Sequence, residues 1–302
     1  MPILDVQNLT KEYRSVTAVD SVSFSVEPGE IFGMIGPNGA GKTTTIECSL
    51  GLRAPTSGTV SLLGMDPRND RRKLFAKVGV QLQETAYQDQ IRVREICGAI
   101  ACMYENPVDW HELLERFNLA DRENDKVAKL SGGMRQRLSI ALALIPGPDI
   151  VFLDELTTGL DPRARRDMWD DIRQLRDDGV TVFMTTHYME EAEYLCDRIA
   201  VISSGKLAAL DTVQALLSDS ELDHEISFDA AGVDESTLSS LPGVRSTAMD
   251  GNRTVLACDS QHVLTDLVRL FDQKNISYSN VRTRSPGLED VFLHLTGEEF
   301  ES

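Results

Sequence analysis

The chain has 302 residues, of which 41% are hydrophobic and 26% are charged, so it is long enough for one large domain and a smaller one. Its formal net charge of -18 and sequence pI of about 4.7 argue against nucleic-acid binding, which needs clustered Lys and Arg, and against docking on anionic lipid. Five cysteines at irregular spacing indicate reduced thiols in a cytoplasmic protein, rather than a disulfide framework or a zinc site.

The sequence does not predict membrane insertion. No segment approaches the ~20 consecutive apolar residues of a spanning helix. The first ten residues contain an acid and lack the apolar centre of a signal peptide. We therefore expect any membrane role to depend on another subunit.

The first two thirds of the chain alternate strand patterns with helical ones. Apolar runs, alternating or continuous, predict strands, and helical patterns are found at 42–50, 164–177 and 190–196. Between about 84 and 147 the pattern is helical throughout. This order predicts an α/β core with a mostly parallel sheet, interrupted by a helical insert. The predicted strands are 3–6, 22–26, 31–35, 58–63, 78–81, 150–153 and 180–185, followed by a hairpin over 199–210.

The last third of the chain, from residue 216, changes character. It holds 16 acidic and 6 basic residues, which is more than half of the excess negative charge. Its pattern reads strand, helix, two strands around the turn at Asp250 and Gly251, helix and strand. We therefore predict a first domain over 1–215 and a C-terminal α+β domain over 216–302, with the β-α-β-β-α-β order of a ferredoxin-like unit. A final helix is predicted over 288–295.

A glycine-rich motif follows the strand predicted at 31–35. It fits the pattern G-x-x-x-x-G-K-[ST], whose glycines let backbone N–H groups point at phosphate oxygens beside a helix N-terminus. Lys42 is predicted to reach the β- and γ-phosphates of a nucleotide, and the Thr43 hydroxyl to bind Mg²⁺. A plain glycine-rich turn is the alternative. The predicted phosphate-binding residues are Gly36, Pro37, Asn38, Gly39, Ala40, Gly41, Lys42, Thr43 and Thr44.

Two acids follow the strand predicted at 150–153. Its four apolar residues indicate a strand that is covered on both faces. Asp154, at the carboxyl end, could hold Mg²⁺ directly or through water. Glu155 is predicted to point toward the γ-phosphate and to polarise the attacking water. Without the glycine-rich motif, the two acids could simply start a helix.

A Ser-Gly-Gly motif begins at Ser131. Ser131 is a good N-cap for a helix that continues to about residue 144, and with Gly132 and Gly133 it forms a second candidate anion site. One chain cannot easily use two such sites on one phosphate. A head-to-tail dimer can, because each chain's second site completes the first site of the other. In isolation, the motif would indicate only a capped helix.

Together, these motifs resemble those of the ATP-binding cassette family, in the same order, from residue 1 to about 215. The run 130–136 is similar to the family's signature sequence, its most specific motif. The resemblance implies a P-loop NTPase core with a RecA-like fold, in which an antiparallel β subdomain accompanies the parallel sheet and the helical insert.

The resemblance also assigns roles to single residues. Tyr13 matches the aromatic residue that stacks on adenine, and His187 matches the histidine that contacts the γ-phosphate. Gln83 matches the glutamine that bridges the Mg²⁺ site and the transmembrane partner, with Gln81 as the nearby competitor. The expected contacts to the partner's ATP are Ser131, Gly132, Gly133 and Gln136, and Asp161 lies in the loop through which the two cassettes communicate.

The mechanism implied by the resemblance uses two cassettes that clamp two ATP molecules, with Mg²⁺ as cofactor. The expected partners are a second cassette, identical or different, and an integral membrane permease that holds the chain at the cytoplasmic face of the membrane. The segment 286–297 resembles the end of cassettes that serve daunorubicin-type drug and antibiotic exporters, and related lipid or polysaccharide exporters. Leu156 departs from the family, which usually has Pro there. We expect activity to survive, although the geometry between Glu155 and the loop 158–161 is put in doubt.

Two other functions compete with transport. A ribosome- or DNA-associated cassette ATPase usually has two cassettes in one chain, zinc modules or coiled coils, and often basic surfaces, none of which this sequence shows. A module that binds ATP without hydrolysing it would not need Glu155, Gln83 and His187, which are all present.

Overall fold

The computed structural model describes residues 1–82, 90–218, 222–260 and 262–297. These residues form two compact units, of which the first is Met1–Val213 and the second begins at Gln214. The division lies two residues before the domain boundary predicted from the sequence.

The first unit combines an antiparallel and a mostly parallel sheet. The order of its strands is β2-β1-β4 in the first, antiparallel sheet and β5-β6-β7-β3-β8-β9 in the second. Five strands of the second sheet run parallel, and β9 pairs antiparallel with β8. The strands are β1 (Leu4–Tyr13), β2 (Val16–Val26), β3 (Ile31–Ile35), β4 (Ser57–Leu62), β5 (Val78–Gln81), β6 (Ile150–Asp154), β7 (Thr181–Thr186), β8 (Arg198–Ser203) and β9 (Lys206–Thr212).

Helices connect these strands and form the insert. Three of them lie between β5 and β6, where the sequence predicts the helical insert. The helices are α1 (Lys42–Ser49), α2 (Arg71–Leu74), α3 (Val93–Ala101), α4 (Trp110–Arg116), α5 (Gly132–Leu144), α6 (Pro162–Asp177) and α7 (Met189–Leu195), and α8 (Val213–Ser218) begins at the last residue of this unit. Together with the sheets, they confirm the predicted α/β fold class.

Strands β1 and β2 are longer than predicted. Their pairing shifts register between Val6 and Leu9 and again on each side of Lys11. Such bulges break the two-residue alternation by which a strand is recognised in a sequence. The longer β1 ends at Tyr13, the residue expected to stack on adenine.

Four aromatic side chains, in two stacked pairs and one tilted pair, join the strands at the centre of the first unit. The ring centroids of Phe24 and Phe32 lie 5.4 Å apart, those of Phe32 and Phe183 5.5 Å, and those of Phe183 and Phe152 5.2 Å. Each such pair contributes about 0.5–1.5 kcal/mol beyond the burial of its area. The stack fixes β3, β6 and β7 relative to one another, and the predicted site residues follow directly from the ends of these three strands.

The second unit is a four-stranded antiparallel sheet with the strand order β11-β12-β10-β13. Residues from α9, α10 and the strands share one apolar core, with Leu238, Phe271 and Phe228 among its buried members. The elements, in chain order, are β10 (His224–Ala230), α9 (Glu235–Ser239), β11 (Val244–Asp250), β12 (Arg253–Cys258), α10 (Val263–Lys274), β13 (Tyr278–Arg284) and α11 (Leu288–Thr296). This order and pairing confirm the predicted ferredoxin-like unit.

Candidate functional site

The glycine-rich loop connects the buried strand β3 to α1. Gly39 and Gly41 have φ angles of +81° and +105°, which residues with a Cβ rarely adopt. A Cβ on Gly36 would lie 2.2 Å from the carbonyl oxygen of Ile202, and one on Gly41 would lie 2.3 Å from that of Ala18. The glycines are therefore required by the close approach of neighbouring backbone as well as by the turn itself.

Lys42 is buried at the start of α1, with 4% of its surface exposed. Its Nζ donates hydrogen bonds to the carbonyl oxygens of Gly36 at 2.8 Å and Pro37 at 3.1 Å, and lies 3.4 Å from Oε1 of Glu155. Burial lowers the pKa of Lys42, whereas the charge of Glu155 raises it. The ammonium group is thus held directly over the loop.

Among the other loop residues, Asn38, Gly39 and Thr43 are exposed, whereas Gly36 and Ala40 are buried. Pro37, Gly41 and Thr44 are intermediate. The exposed loop residues and the adjoining turn of α1 are thus open to a ligand.

Asp154 is fully buried at the end of β6. Its Oδ2 accepts a hydrogen bond from the Thr43 hydroxyl at 3.2 Å, and its Oδ1 accepts one from the Thr185 hydroxyl. Burial raises the pKa of Asp154, and the hydrogen bonds from Thr185 and Thr43 oppose this shift. Thr43 and Asp154, the two described residues predicted to bind Mg²⁺, therefore place their oxygen atoms side by side.

Gln81 joins this group from β5. Its Oε1 accepts a hydrogen bond from the backbone N–H of Asp154 at 3.1 Å, and its Nε2 donates one to the carbonyl oxygen of Leu82. Gln81 is 4% exposed, so its side chain serves the packing of β5 on β6. Gln83, the residue preferred from the sequence, lies outside the described residues, and its role stays a prediction.

Glu155 has a left-handed backbone conformation, with φ +48°. This conformation costs about 1–2 kcal/mol for a residue with a Cβ. Hydrogen bonds from the Glu155 N–H to the carbonyl oxygen and hydroxyl of Thr185, at 3.2 and 3.1 Å, hold it in place. Strain of this kind is typical of functional sites. The left-handed conformation of Glu155 directs its carboxylate toward Lys42 and His187.

His187 follows β7 and faces the same carboxylate. Its Nδ1 lies 3.7 Å from Oε2 of Glu155, which is too long for a hydrogen bond, and this buried atom has no hydrogen-bond partner among the described residues. Burial lowers the pKa of His187, whereas the charge of Glu155 raises it and that of Lys42 lowers it again. A buried polar atom without a partner requires an explanation, and a bound ligand is one.

Leu156 is buried, whereas Thr158 and Gly159 in the loop after it are exposed. Leu156 is 2% exposed, and the N–H of Thr158 donates a hydrogen bond to the carbonyl oxygen of Glu155 at 3.2 Å. Asp161 caps α6, since its Oδ1 accepts hydrogen bonds at 3.0 Å from the N–H groups of Arg163 and Ala164. Both ends of the loop are thus fixed by hydrogen bonds.

Ser131 caps α5, as the sequence predicts: its hydroxyl accepts a hydrogen bond from the N–H of Met134 at 3.3 Å. Ser131 and Gly132 are exposed, whereas Gly133 and Gln136 are intermediate. The Ser-Gly-Gly turn therefore presents the start of a 13-residue helix to solvent. A helix N-terminus of this kind attracts anions.

Tyr13 exposes 37% of its surface at the end of β1. The Nζ of Lys11 lies 5.0 Å and the guanidinium carbon of Arg53 5.6 Å from the centre of its ring. Its aromatic face therefore lies beside two positive charges, which is compatible with stacking on a base near phosphates.

Sequence reasoning missed Thr185, which bonds to both Asp154 and Glu155. The signal was present, because Thr185 and Thr186 are polar residues that end an apolar, buried strand. A buried hydroxyl requires a hydrogen-bond partner. Here the partners are the carboxylate of Asp154 and the backbone N–H of Glu155, at the end of the adjacent strand.

Comparison with known proteins identifies the family. Residues 19–158 match the ABC transporter family. The daunorubicin resistance ATP-binding protein DrrA3 of Streptomyces coeruleorubidus is 35% identical over 305 residues, covering 98% of this chain and 96% of the relative. The chain belongs to the ABC transporter family.

Other ABC proteins agree with this. The Nod factor export ATP-binding protein I of Burkholderia lata is 38% identical over 308 residues, with 100% of both chains covered. A solved ATP-binding subunit of an ABC transporter superimposes with a TM-score of 0.66 at 26% identity, covering 72% of this chain and 92% of that one. This ABC protein is the ATP-binding subunit of a transporter, and it is an ATPase, as predicted.

Two properties of the ABC subunit concern membranes and metals. None of the helices in the described ranges has both the length and the apolar character that crossing a bilayer requires. Within the same ranges, no cluster of three or more His, Cys, Asp or Glu side chains could hold a metal ion. A Mg²⁺ site does not need such a cluster, since Mg²⁺ takes one or two carboxylates together with water and substrate phosphates.

Proposed function

We propose that this ABC subunit drives export, by hydrolysing ATP as one of two cassettes beneath a separate membrane permease. The proposal rests on five side chains that lie together at the ends of the adjacent strands β3, β6 and β7. These side chains are Lys42, Thr43, Asp154, Glu155 and His187. The export direction is supported by the relatives, which are named for daunorubicin resistance and for Nod factor export. The permease holds the transported compound, so the identity of that compound depends on the permease.

Nucleotide binding is assigned to the loop and to Tyr13. The backbone N–H groups of residues 38–41 and of the first turn of α1 receive the phosphates, and Thr44 belongs to this turn. Lys42 exchanges its two carbonyl partners for β- and γ-phosphate oxygens, which is favourable because the phosphate oxygens are negatively charged acceptors whereas the carbonyls are neutral. Tyr13 stacks on the adenine.

The cofactor is Mg²⁺, and the residues present fit it. Thr43 and Asp154 offer a hydroxyl and a carboxylate oxygen 3.2 Å apart, and burial disfavours the charged form of Asp154, which raises its pKa. A small divalent cation held by these two residues would favour that charged form and would offset the charge of the β- and γ-phosphates. Gln83 is proposed as a further ligand.

Glu155 is proposed as the group that orients and polarises the attacking water, and His187 as the contact to the γ-phosphate. Both side chains are largely buried, so water is excluded around them and their electrostatic effect is strong. Glu155 must release Lys42 to take this role, because a carboxylate paired with an ammonium is a weaker base.

The second cassette is proposed to supply the Ser-Gly-Gly turn. The exposed start of α5, with Ser131, Gly132, Gly133 and Gln136, faces the γ-phosphate bound by the partner, and the Asp161 loop reports the state of one site to the other. Two ATP molecules would then bridge two chains, and their hydrolysis would separate them.

The permease is proposed to dock at a cavity of about 330 Å³ between β5 and the helical insert. Its wall includes Phe75, Ile100, Met103 and Tyr104, which suit an apolar helix, and Met103 is 77% exposed. The cavity is also lined by β5, which is an edge strand of the parallel sheet. Docking here would hold the chain at the cytoplasmic face of the membrane.

Pull-down of the tagged full-length chain from detergent-solubilised membranes of its natural host tests this proposal. We expect a polytopic membrane protein to copurify, and a Met103→Glu variant to lose it while a Met249→Glu variant, changed at an exposed methionine outside the cavity, keeps it. Copurification of ribosomes or DNA in its place would support the alternative cassette function and refute the transport assignment.

A further inference from the structure

Thr185 is a buried residue near the end of β7 that has no part in the chemistry proposed above. None of its surface is exposed. It pairs with Asp154 on the neighbouring strand β6. A valine would suit a buried strand as well in shape, and it would need no hydrogen-bond partner. The hydroxyl group therefore requires an explanation other than packing.

The Thr185 hydroxyl makes two hydrogen bonds, both with residues proposed to act on the nucleotide. It donates to Oδ1 of Asp154 and accepts from the backbone N–H of Glu155 at 3.1 Å. A hydroxyl has one hydrogen to donate, and an ionised carboxylate can only accept. The direction of both bonds is therefore fixed, and the single hydrogen of Thr185 is committed to the Asp154 carboxylate.

The two oxygens of the Asp154 carboxylate are thus held by two different hydroxyl groups. The Thr43 hydroxyl donates to Oδ2 at 3.2 Å, and the Thr185 hydroxyl donates to Oδ1. Thr43 is exposed and is itself a proposed Mg²⁺ ligand, whereas Thr185 is fully buried. Thr185 is therefore the contact that can hold the carboxylate without serving the metal as well.

The Thr185 hydroxyl matters more to Asp154 than to Glu155. The backbone N–H of Glu155 also donates to the carbonyl oxygen of Thr185, at 3.2 Å, and this bond does not depend on the side chain. The bond to the carboxylate has no such substitute from Thr185. Bonds to a charged acceptor are also about twice as strong as bonds between neutral groups. Loss of the hydroxyl should therefore be felt first at the carboxylate.

We propose that Thr185 is a positioning residue for the metal site, which fixes the orientation of the Asp154 carboxylate so that Oδ2 stays beside the Thr43 hydroxyl. This inference rests on the Mg²⁺ site proposed above. Thr185 acts through Asp154 and does not bind the metal itself. Groups that orient a metal ligand typically change metal affinity or activity by about 10- to 100-fold when they are removed.

The test measures metal binding by Thr185→Val and Thr185→Ser in the full-length chain. The probe is Mn²⁺, which prefers the same oxygen ligands as Mg²⁺ and is detected by electron paramagnetic resonance. The chain is kept in excess over a non-hydrolysable ATP analogue, so that nearly all nucleotide is bound. We expect the Kd for Mn²⁺ to rise about 10-fold in the valine variant. The serine variant should match the parent, and the Kd for the analogue in EDTA should stay within about twofold in both.

Thr181→Val is the matched control, because it removes another buried hydroxyl from the same strand. Thr181 begins β7, at the opposite end from Thr185, and its hydroxyl accepts a hydrogen bond from the N–H of Gly29 at 3.0 Å. We expect Tm to fall in both valine variants, but the Kd for Mn²⁺ to rise only in Thr185→Val. An unchanged Kd for Mn²⁺ in Thr185→Val, or an equal rise in Thr181→Val, would overturn the inference.

A second pair of variants covers the case in which Thr185→Val fails to fold. Thr185→Ser and Thr185→Cys both lack the methyl group and differ only in the donor atom, since a thiol is a weak donor. We expect the Kd for Mn²⁺ to rise in the cysteine variant alone, and equal values in the two would contradict the inference. Asp154→Asn distinguishes the two levels of the argument. If it leaves the Kd for Mn²⁺ unchanged, the proposed metal site fails; if it raises this Kd while Thr185→Val does not, only the role of Thr185 fails.

Discussion

Lys42 and Glu155 form a buried ion pair in which Nζ lies 3.4 Å from Oε1 and the two side chains are 4% and 7% exposed. The same lysine is proposed to bind phosphate and the same glutamate to polarise water. Nucleotide binding must therefore separate two charges that stabilise each other without nucleotide. Changes on the two sides of the pair should have opposite effects on ATP affinity.

Glu155→Gln should abolish turnover and preserve binding. Removing the carboxylate charge frees Lys42, so we expect the Kd for ATP to be equal to or lower than that of the parent. Steady-state hydrolysis should fall at least about 100-fold, as for the loss of a general base. ATP should also trap a dimer, seen as a doubling of mass in light scattering. Unchanged steady-state hydrolysis would refute the assignment of Glu155.

Lys42→Ala should weaken binding. It removes the phosphate contact and also the ammonium that faces the buried Glu155, whose negative charge then disfavours an incoming polyanion further. We expect the Kd for ATP in titration calorimetry to rise at least about 10-fold, equivalent to about 1.4 kcal/mol. The exposed Lys73→Ala is the matched control. If the isotherms of Lys42→Ala and parent overlay, the phosphate site is assigned to the wrong loop.

Ser131→Asp and Ser131→Asn separate the two roles of Ser131. Both residues are good N-caps, so α5 and the thermal stability should be retained in each. Only the aspartate places a negative charge where the partner's γ-phosphate is proposed to lie. In the Glu155→Gln background, we expect ATP to dimerise the asparagine variant and not the aspartate variant. ATP-dependent dimers of equal strength in both would argue against a contact between the two chains at this turn.

Asp154→Asn should stabilise the nucleotide-free chain. The folded pKa of Asp154 is raised above the ordinary 3.8, so between these two values the native state binds more protons than the unfolded state. Stability contributed by this group therefore falls as pH rises through that window, and the cost persists at pH 7. We expect the Tm difference between variant and parent to grow from pH 4 to pH 7, and the thermal shift caused by Mg²⁺ with ATP to shrink. A Tm difference that does not change with pH would show that the charged form of Asp154 does not destabilise the folded chain.

The elements and the main site motifs could be predicted from the sequence because their signals are local. The apolar run of β6 followed by Asp154 and Glu155, and the glycines before Lys42, each fall within a few consecutive residues. The structure then brings these motifs together as strand order requires. The role of Asp161 as the cap of α6 could also be predicted, since Pro162 at the first helical position is a standard start signal.

The supporting contacts could not be predicted because their partners are distant along the chain. Gln81 meets Asp154 across 73 residues, Thr185 meets it across 31, and Trp169 meets Glu191 across 22. The sequence around one residue of such a pair does not indicate which other residue it contacts. The full length of β1 could not be predicted for a different reason, because its register is irregular around Leu9 and Lys11.

The carboxamide of Gln81 has a mechanical consequence. Gln81 lines the cavity proposed for the permease, and its Oε1 holds the backbone N–H of Asp154. One side chain thus spans the whole distance between the cavity wall and the start of the acidic pair. A force that pulls β5 away from β6 at this end therefore acts on the backbone of Asp154 through that hydrogen bond, in addition to the pairing of the two strands.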